Sequence, residues 1–166
     1  MIFYLFERKF KFVDDVLYSF YKKGRSTINM WHPVKLSFTG NGYLKFSFKF
    51  KGKTKTIKYH RVVYYANNPN WNIYDSSKYN VIDHIDQKPS NNHISNLRVV
   101  TMQENSFNKT CKGYSFNKAY GKYEAYIKLN SYKIHLGCYN TEVEARQAYL
   151  NKKKEIHIIK IRKHNF

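Results

Sequence analysis

The feature that most constrains this chain is an apolar, β-branched run that ends in an Asp-His pair. Val81 to Ile85 is typical of a buried strand, and Leu97 to Val100 predicts its antiparallel partner, with a polar loop between them. Thr101 and Glu104 then have the spacing of a capping box, which indicates a helix over about 102–109. The sequence therefore predicts a strand, a loop, a strand and a helix in succession.

The net charge of the chain limits its partners. Thirty Lys and Arg residues stand against eleven Asp and Glu residues, which gives a formal charge of +19. Such a charge indicates a polyanionic partner, because it otherwise only adds self-repulsion. An anionic membrane surface is the alternative, but the sequence shows no long basic amphipathic helix and no apolar run of the ~18 residues that a span needs. Nucleic acid is therefore favoured over a membrane.

The cysteines and the N-terminus bear on the cellular compartment. Only Cys111 and Cys138 occur, and neither belongs to a C-x-x-C pair, so a disulfide framework and a four-cysteine zinc site are excluded. The apolar residues 1–6 run into the charged residues 7–9 and lack the cleavage site of a signal peptide. We therefore expect an intracellular protein with reduced thiols.

Strands with a basic outer face are predicted ahead of the Asp-His pair. Apolar and basic residues alternate over 44–50, after a turn at 40–42, and a further strand is expected over 54–58. Residues 59–66 have helical spacing. The N-terminal residues lack a clean period, and the pattern over 13–21 is compatible with a short helix.

A second pattern of strands and a helix follows the first helix. Three short strands are predicted over 114–117, 122–129 and 133–138. A second capping box, Thr141-x-x-Glu144, opens a helix that continues to about residue 155.

Several polar side chains around the first strand pair form a candidate site. The carboxylate of Asp83 and the amide oxygen of Asn105 could together hold a hard divalent cation, and the imidazole of His84 could activate a water. In a basic chain the target of that water would be a nucleic-acid phosphodiester. Taken alone, His84 is better explained as a hydrogen-bonded core histidine, but the ordered set favours a catalytic site.

The central region, about residues 42–108, resembles HNH endonucleases of the ββα-metal type, particularly those of phage and other mobile elements. The matching motifs are Gly42-Tyr43-Leu44, Tyr59-His60-Arg61-Val62-Val63, Asp83-His84-Ile85-Asp86, Asn91-Asn92, Asn96-Leu97-Arg98 and Thr101 to Asn105. The resemblance implies hydrolysis or nicking of double-stranded DNA with one Mg²⁺ or Mn²⁺ ion per active site.

The resemblance also implies residue roles. Asp83 matches the metal-binding acid and Asn105 the second metal ligand. His84 matches the general base, and Asn96 matches a loop residue that holds the histidine in place. Arg98 is assigned to DNA binding.

Two positions leave alternatives open. Arg61 could contact a DNA phosphate, or it could make a structural hydrogen bond at the start of a helix. Many relatives have Asp-Gly-Asn where this chain has Asp86-Gln87-Lys88, so a changed loop backbone is expected.

Residues 113–156 resemble the AP2/ERF type of DNA-binding domain, in which a three-stranded sheet enters the major groove and a helix packs behind it. The matching motifs are Gly113-Tyr114-Ser115-Phe116, Gly121-Lys122-Tyr123, Lys133-x-x-Leu136-Gly137 and Thr141-x-x-Glu144-Ala145. The expected phosphate contacts are Lys118, Lys122, Lys128 and Lys133, although each could equally be a solvated surface lysine.

Together these patterns predict an α+β protein with an N-terminal β-hairpin region, a ββα-metal HNH unit and a C-terminal three-stranded sheet plus helix. We expect an N-terminal segment of unknown role (1–33), an HNH domain with its hairpin lead-in (34–110), an AP2-like domain (112–157) and a basic tail (158–166). The predicted function is a homing or mobile-element DNA endonuclease, with a monomer favoured over a dimer and no small-molecule cofactor. The alternatives are a catalytically silent DNA-binding regulator and a basic RNA-binding protein.

Overall fold

The computed structural model describes residues 1–25 and 27–160, which fall into two compact units, residues 1–99 and residues 100–160. No helix in these residues is long and apolar enough to cross a membrane. Of the tail expected over 158–166, the part beyond residue 160 lies outside the described residues.

The first unit is built from three antiparallel sheets and one helix. The sheets have the strand orders β1-β2-β3-β4, β5-β6-β7 and β8-β9. The elements are β1 (Ile2–Leu5), β2 (Arg8–Val13), β3 (Val16–Tyr21), β4 (Met30–Pro33), β5 (Ser37–Phe38), β6 (Leu44–Phe50), β7 (Lys53–Lys58), α1 (Tyr59–Asn67), β8 (Val81–His84) and β9 (Leu97–Val100). The mixed α+β class, the strands ahead of α1 and the pairing of β8 with β9 confirm the predictions made from periodicity.

The helix considered for residues 13–21 is wrong, because this segment forms a β-hairpin. Asp14 and Asp15 form its turn, with φ angles of 49° and 57°. In β3, Leu17 and Ser19 are buried while the residues between them are more exposed, which is the two-residue period of a strand. The hairpin was missed because its turn is Asp-Asp, without the glycine that usually accompanies positive φ angles.

One hydrophobic core joins the N-terminal sheet to the rest of this unit. Its most deeply buried side chains come from β1, β2, β6 and α1, and they are Leu5, Phe10, Phe46, Val62 and Val63. Burial of a large apolar side chain stabilises a fold by about 1.5–3 kcal/mol. Residues 1–33 therefore take part in the core that supports the Asp-His strand.

The second unit contains a short helix, a three-stranded antiparallel sheet and a longer helix. The elements are α2 (Met102–Phe107), β10 (Tyr114–Asn117), β11 (Lys122–Leu129), β12 (Tyr132–Tyr139) and α3 (Glu142–Ile156). Both predicted capping boxes are present, at Thr101 and at Thr141. Ala145 and Tyr149 are the buried residues of α3, and this helix packs against the sheet.

A close approach of backbone to side chain joins the start of this sheet to α3. Gly113 has a φ of +78°, and a Cβ atom built there would lie 2.0 Å from the ring of Tyr149. Gly121 has a similar φ of +63°, but nothing lies within 4 Å of its Cβ position. The two glycines therefore share the same backbone requirement and differ in steric contact.

We expect Gly113→Ala to destabilise the protein more than Gly121→Ala does. Both substitutions carry the left-handed backbone cost of about 1–2 kcal/mol, and the clash with Tyr149 adds about 1–3 kcal/mol for Gly113 alone. Urea unfolding of the two variants measures the difference. Equal losses of unfolding free energy in the two variants would show that Tyr149 moves aside freely and that its packing against Gly113 is loose.

Candidate active site

Asp83 and His84 end strand β8, and both side chains are 4 % exposed. Adjacent residues of a strand point to opposite faces. Consistent with this, Asp83 bonds with Arg98 of the neighbouring strand, whereas His84 contacts the loop residue Asn92. The strand thus presents an acid and a base to different partners at one end of the hairpin.

An ion pair with the partly exposed Arg98 fixes Asp83. Both Nε and Nη2 of Arg98 lie 2.8 Å from Oδ2 of Asp83. Removal of one partner from a buried pair typically costs about 3–5 kcal/mol, because the other charge is left uncompensated. The Arg98 guanidinium, expected from the sequence to bind DNA, is therefore engaged with the carboxylate.

The orientation of His84 is set by a residue to which the sequence analysis gave no role. Asn92 donates through Nδ2 to the carbonyl of Ser90 at 3.0 Å, so its Oδ1 faces His84 Nε2 at 3.1 Å. An amide oxygen only accepts, so this contact favours the tautomer with the proton on Nε2 and the lone pair on Nδ1. In the sequence, the Asn91-Asn92 motif of the HNH resemblance indicated that this part of the loop matters, but not that Asn92 contacts His84.

Asn96 ties together the loop between the two strands. Its Oδ1 accepts from the Asp86 N–H at 3.0 Å, and its Nδ2 donates to Asp86 Oδ1 at 2.9 Å and to the Asn91 carbonyl at 2.8 Å. Its carbonyl also accepts from the Ile85 N–H at 2.9 Å. The geometry places Asn96 in the loop network and not beside the His84 ring nitrogens.

Asp86 and Gln87 complete this loop. The hydrogen bond from Asn91, followed by that from the Lys88 N–H, lowers the pKa of Asp86 to about 2. Gln87 has a φ of +62°, in the left-handed region that glycine favours. The loop thus keeps a left-handed residue at this position without a glycine.

His60 and Arg61 lie in the first turn of α1. The His60 ring packs edge-to-face against His84 at a centroid distance of 5.1 Å, and its Nδ1 is buried with no hydrogen-bond partner among residues 1–25 and 27–160. Burial, followed by the charges of His84, Lys58 and Arg61, lowers the pKa of His60 to about 3. His60 is therefore neutral at physiological pH.

Arg61 bonds to the protein backbone. Its guanidinium donates to the carbonyls of Ile73 at 2.7 Å, Asp75 at 2.8 Å and Asn80 at 3.2 Å, and it lies over the Trp71 ring at 4.7 Å. This geometry favours the structural alternative over a phosphate contact.

The other predicted site residues lie in the second unit. Asn105 is a partly exposed residue of α2. Lys118, Lys122, Lys128 and Lys133 are all exposed, and Lys128 faces Lys133 directly across β11 and β12. Like charges directly opposite in a sheet are destabilising, so this pair favours an anionic partner.

The donor chemistry at Asp83 fits a hard divalent cation. Asp83 supplies carboxylate oxygens, and both of the bonds from Arg98 go to Oδ2. Within the described residues, no group of three or more His, Cys, Asp or Glu side chains could hold a metal. Mg²⁺ suits such a sparse oxygen site because it retains several waters, whereas softer metals prefer Cys or several His ligands.

Comparison with known proteins bears on this site. Residues 58–107 match the family model described as HNH endonuclease, and the match includes α1, the Asp83-His84 strand, the loop, β9 and α2. No curated protein and no solved structure matches the chain. The AP2-like assignment of the C-terminal sheet, which lies beyond residue 107, stays a prediction. Residues 58–107 thus resemble an HNH endonuclease domain, and this match supports a nuclease that hydrolyses phosphodiester bonds.

Proposed function

We propose that this nuclease cuts or nicks double-stranded DNA with a divalent cation. The observation that carries the proposal is the buried Asp83-His84 pair, with one nitrogen of His84 held by Asn92. A histidine oriented through Nε2 has its basic lone pair on Nδ1, as a general base requires.

In the proposed reaction, His84 Nδ1 accepts a proton from the water that attacks phosphorus, and the bond from phosphorus to the leaving oxygen breaks. Asn92 keeps the ring in position, and the loop network around Asn96 keeps Asn92 close to the strand. The imidazolium that forms lies against His60, whose low pKa keeps it neutral. The two adjacent imidazoles of His60 and His84 therefore carry one positive charge and not two during the reaction.

Asp83 is the proposed protein ligand for Mg²⁺ or Mn²⁺, one ion per active site, and Nε and Nη2 of Arg98 hold its carboxylate in place. When bound, such an ion would stabilise negative charge on the phosphate and on the leaving oxygen. Asn105 as a second ligand is a proposal that rests on the family resemblance.

The C-terminal sheet is proposed to bind duplex DNA in the manner of an AP2-like domain. The exposed Lys128–Lys133 pair supports this, as does Lys133 Nζ lying 3.9 Å from the centre of the Tyr126 ring. The mobile-element role, the intracellular location and a monomeric state rest on sequence and resemblance alone.

We expect His84→Ala to lose DNA scission by about 10²–10⁴-fold, because a general base contributes rate enhancement of that size. Supercoiled plasmid is incubated with Mg²⁺, Mn²⁺ or EDTA, and nicked and linear products are quantified on gels. EDTA should abolish scission in the wild type. His93→Ala is the matched control, because His93 lies exposed in the same loop.

Two results would contradict this proposal. Scission that persists in His84→Ala would refute the assignment of His84 as the general base and of the residues placed around it. Tight DNA binding without metal-dependent scission in the wild type would favour the silent regulator instead.

We expect His60 to make folding stability depend on pH. Its folded-state pKa of about 3 lies below the value of about 6.5 in an unfolded chain, so the unfolded state gains a proton first as pH falls. Stability from this group is complete above about pH 6.5 and is lost towards pH 3, by about 2 kcal/mol between pH 7 and 5. Urea unfolding at both pH values should show this loss in the wild type and not in His60→Gln. A His93→Gln variant that lost the same pH dependence would refute the assignment.

We expect Lys128→Gln/Lys133→Gln to weaken duplex binding and to reduce its salt dependence. The slope of log K against log salt should fall by about 2, since each phosphate contact contributes about 0.9. Fluorescence anisotropy in EDTA from 50 to 200 mM salt measures this. Lys112→Gln/Lys154→Gln makes the same charge change at exposed positions away from the strands. Equal slopes for the two variants would reject the sheet as the DNA contact.

A further inference from the structure

The N-terminal sheet has one buried face and one aromatic, basic face. Alternate residues of β1, β2 and β3 point into the core, and the buried ones are Phe3, Leu5, Phe10, Phe12, Leu17 and Ser19. The residues between them form what we term the aromatic platform, which consists of Tyr4, Lys9, Lys11, Tyr18, Phe20 and Trp31. Core packing accounts for the first face and leaves the second unexplained.

Strand register brings the platform residues together. Lys9 faces Tyr4, Lys11 faces Tyr18, and Phe20 faces Trp31. The Phe20 and Trp31 ring centroids are 4.9 Å apart. The rings therefore form a continuous surface across neighbouring strands.

Both lysines flank the same indole. The Nζ atoms of Lys9 and Lys11 lie 5.9 Å and 5.0 Å from the centroid of the Trp31 ring. In the described part of the chain, neither lysine forms an ion pair with a carboxylate. Positive charge and aromatic rings are thus combined on a face that is open to solvent, with Tyr4 59 % exposed.

We propose that the aromatic platform binds single-stranded DNA. Unpaired bases would stack on Trp31 and its neighbouring rings while Lys9 and Lys11 contact phosphates. A duplex offers phosphates to lysines but hides the faces of its bases, so the aromatic residues specifically favour unpaired nucleotides. The choice of DNA over other nucleic acids rests on the proposed function. The inference that the platform binds unpaired nucleotides rests on its residues alone.

The size of the platform sets the length of strand that it can hold. Neighbouring strands lie about 4.8 Å apart, so four strands span roughly 15 Å. Sheet surfaces of this size stack about two or three bases. The platform would therefore hold a short unpaired stretch of a nuclease substrate.

The test measures binding of a fluorescent dT15 oligonucleotide and of a 15-bp duplex to the full chain in EDTA. Trp31→Ala should weaken binding of dT15 about tenfold and duplex binding less than about twofold, since stacking contributes affinity of this size per base. Phe38→Ala is the control, because Phe38 is 66 % exposed on β5 in a different sheet, and it should leave dT15 binding unchanged. Lys9→Gln/Lys11→Gln should reduce the salt slope for dT15 by about 1.4.

A second measurement uses the two tryptophans of the chain. Trp71 is buried at 2 % exposure, so a Trp71→Phe background leaves Trp31 as the fluorescent reporter. Quenching of Trp31 by dT15 supports stacking.

Three results would overturn the proposal. They are unchanged dT15 affinity in Trp31→Ala, equal losses for dT15 and duplex, and a protein-concentration-dependent shift of Trp31 emission without DNA, which would indicate that a second copy covers the platform. Binding of dT15 is measured without metal, so a negative result leaves the scission assay of His84→Ala unaffected. A negative scission assay likewise leaves the binding result unaffected.

Discussion

The ion pair between the buried Asp83 and the partly exposed Arg98 is the interaction on which the active-site hairpin depends. A carboxylate that is 4 % exposed requires compensation, and Arg98 supplies it with two contacts to a single oxygen. Loss of one partner from a fully buried pair costs about 3–5 kcal/mol, a large share of the 5–15 kcal/mol that stabilises a typical domain, and the partial exposure of Arg98 lowers that cost here. The pair therefore joins β8 to β9 at the place where His84 begins the loop.

The loop that follows is ordered by polar bonds, because it contains little apolar surface to bury. Asn96 makes two hydrogen bonds with Asp86, and Asn91 donates a further one to the Asp86 carboxylate. Such a network is cooperative, since each bond restricts the partner of the next. Gln87 adopts a backbone that glycine would favour, so the network sustains a conformation that costs its residue about 1–2 kcal/mol.

Local patterns were sufficient to predict much of the fold. The apolar runs of β8 and β9 and the two capping boxes are short-range signals, and the structure contains all of them. The role of Arg61 could not be predicted from sequence. Its carbonyl acceptors lie 12 to 19 residues away and belong to a loop without a periodic pattern. The hydrogen bond between His84 Nε2 and Asn92 Oδ1 spans 8 residues of a similar loop, so the Asn91-Asn92 motif indicated the loop but not its contact with His84.

The N-terminal sheet shows how strand periodicity separates stability from surface chemistry. Its inward residues belong to the core that supports α1, and its outward residues carry the lysines and aromatic rings. Because alternate residues point to opposite faces, an outward substitution removes no buried core side chain. A change of Trp31 can therefore alter ligand contacts while the core that positions the Asp83-His84 strand stays intact.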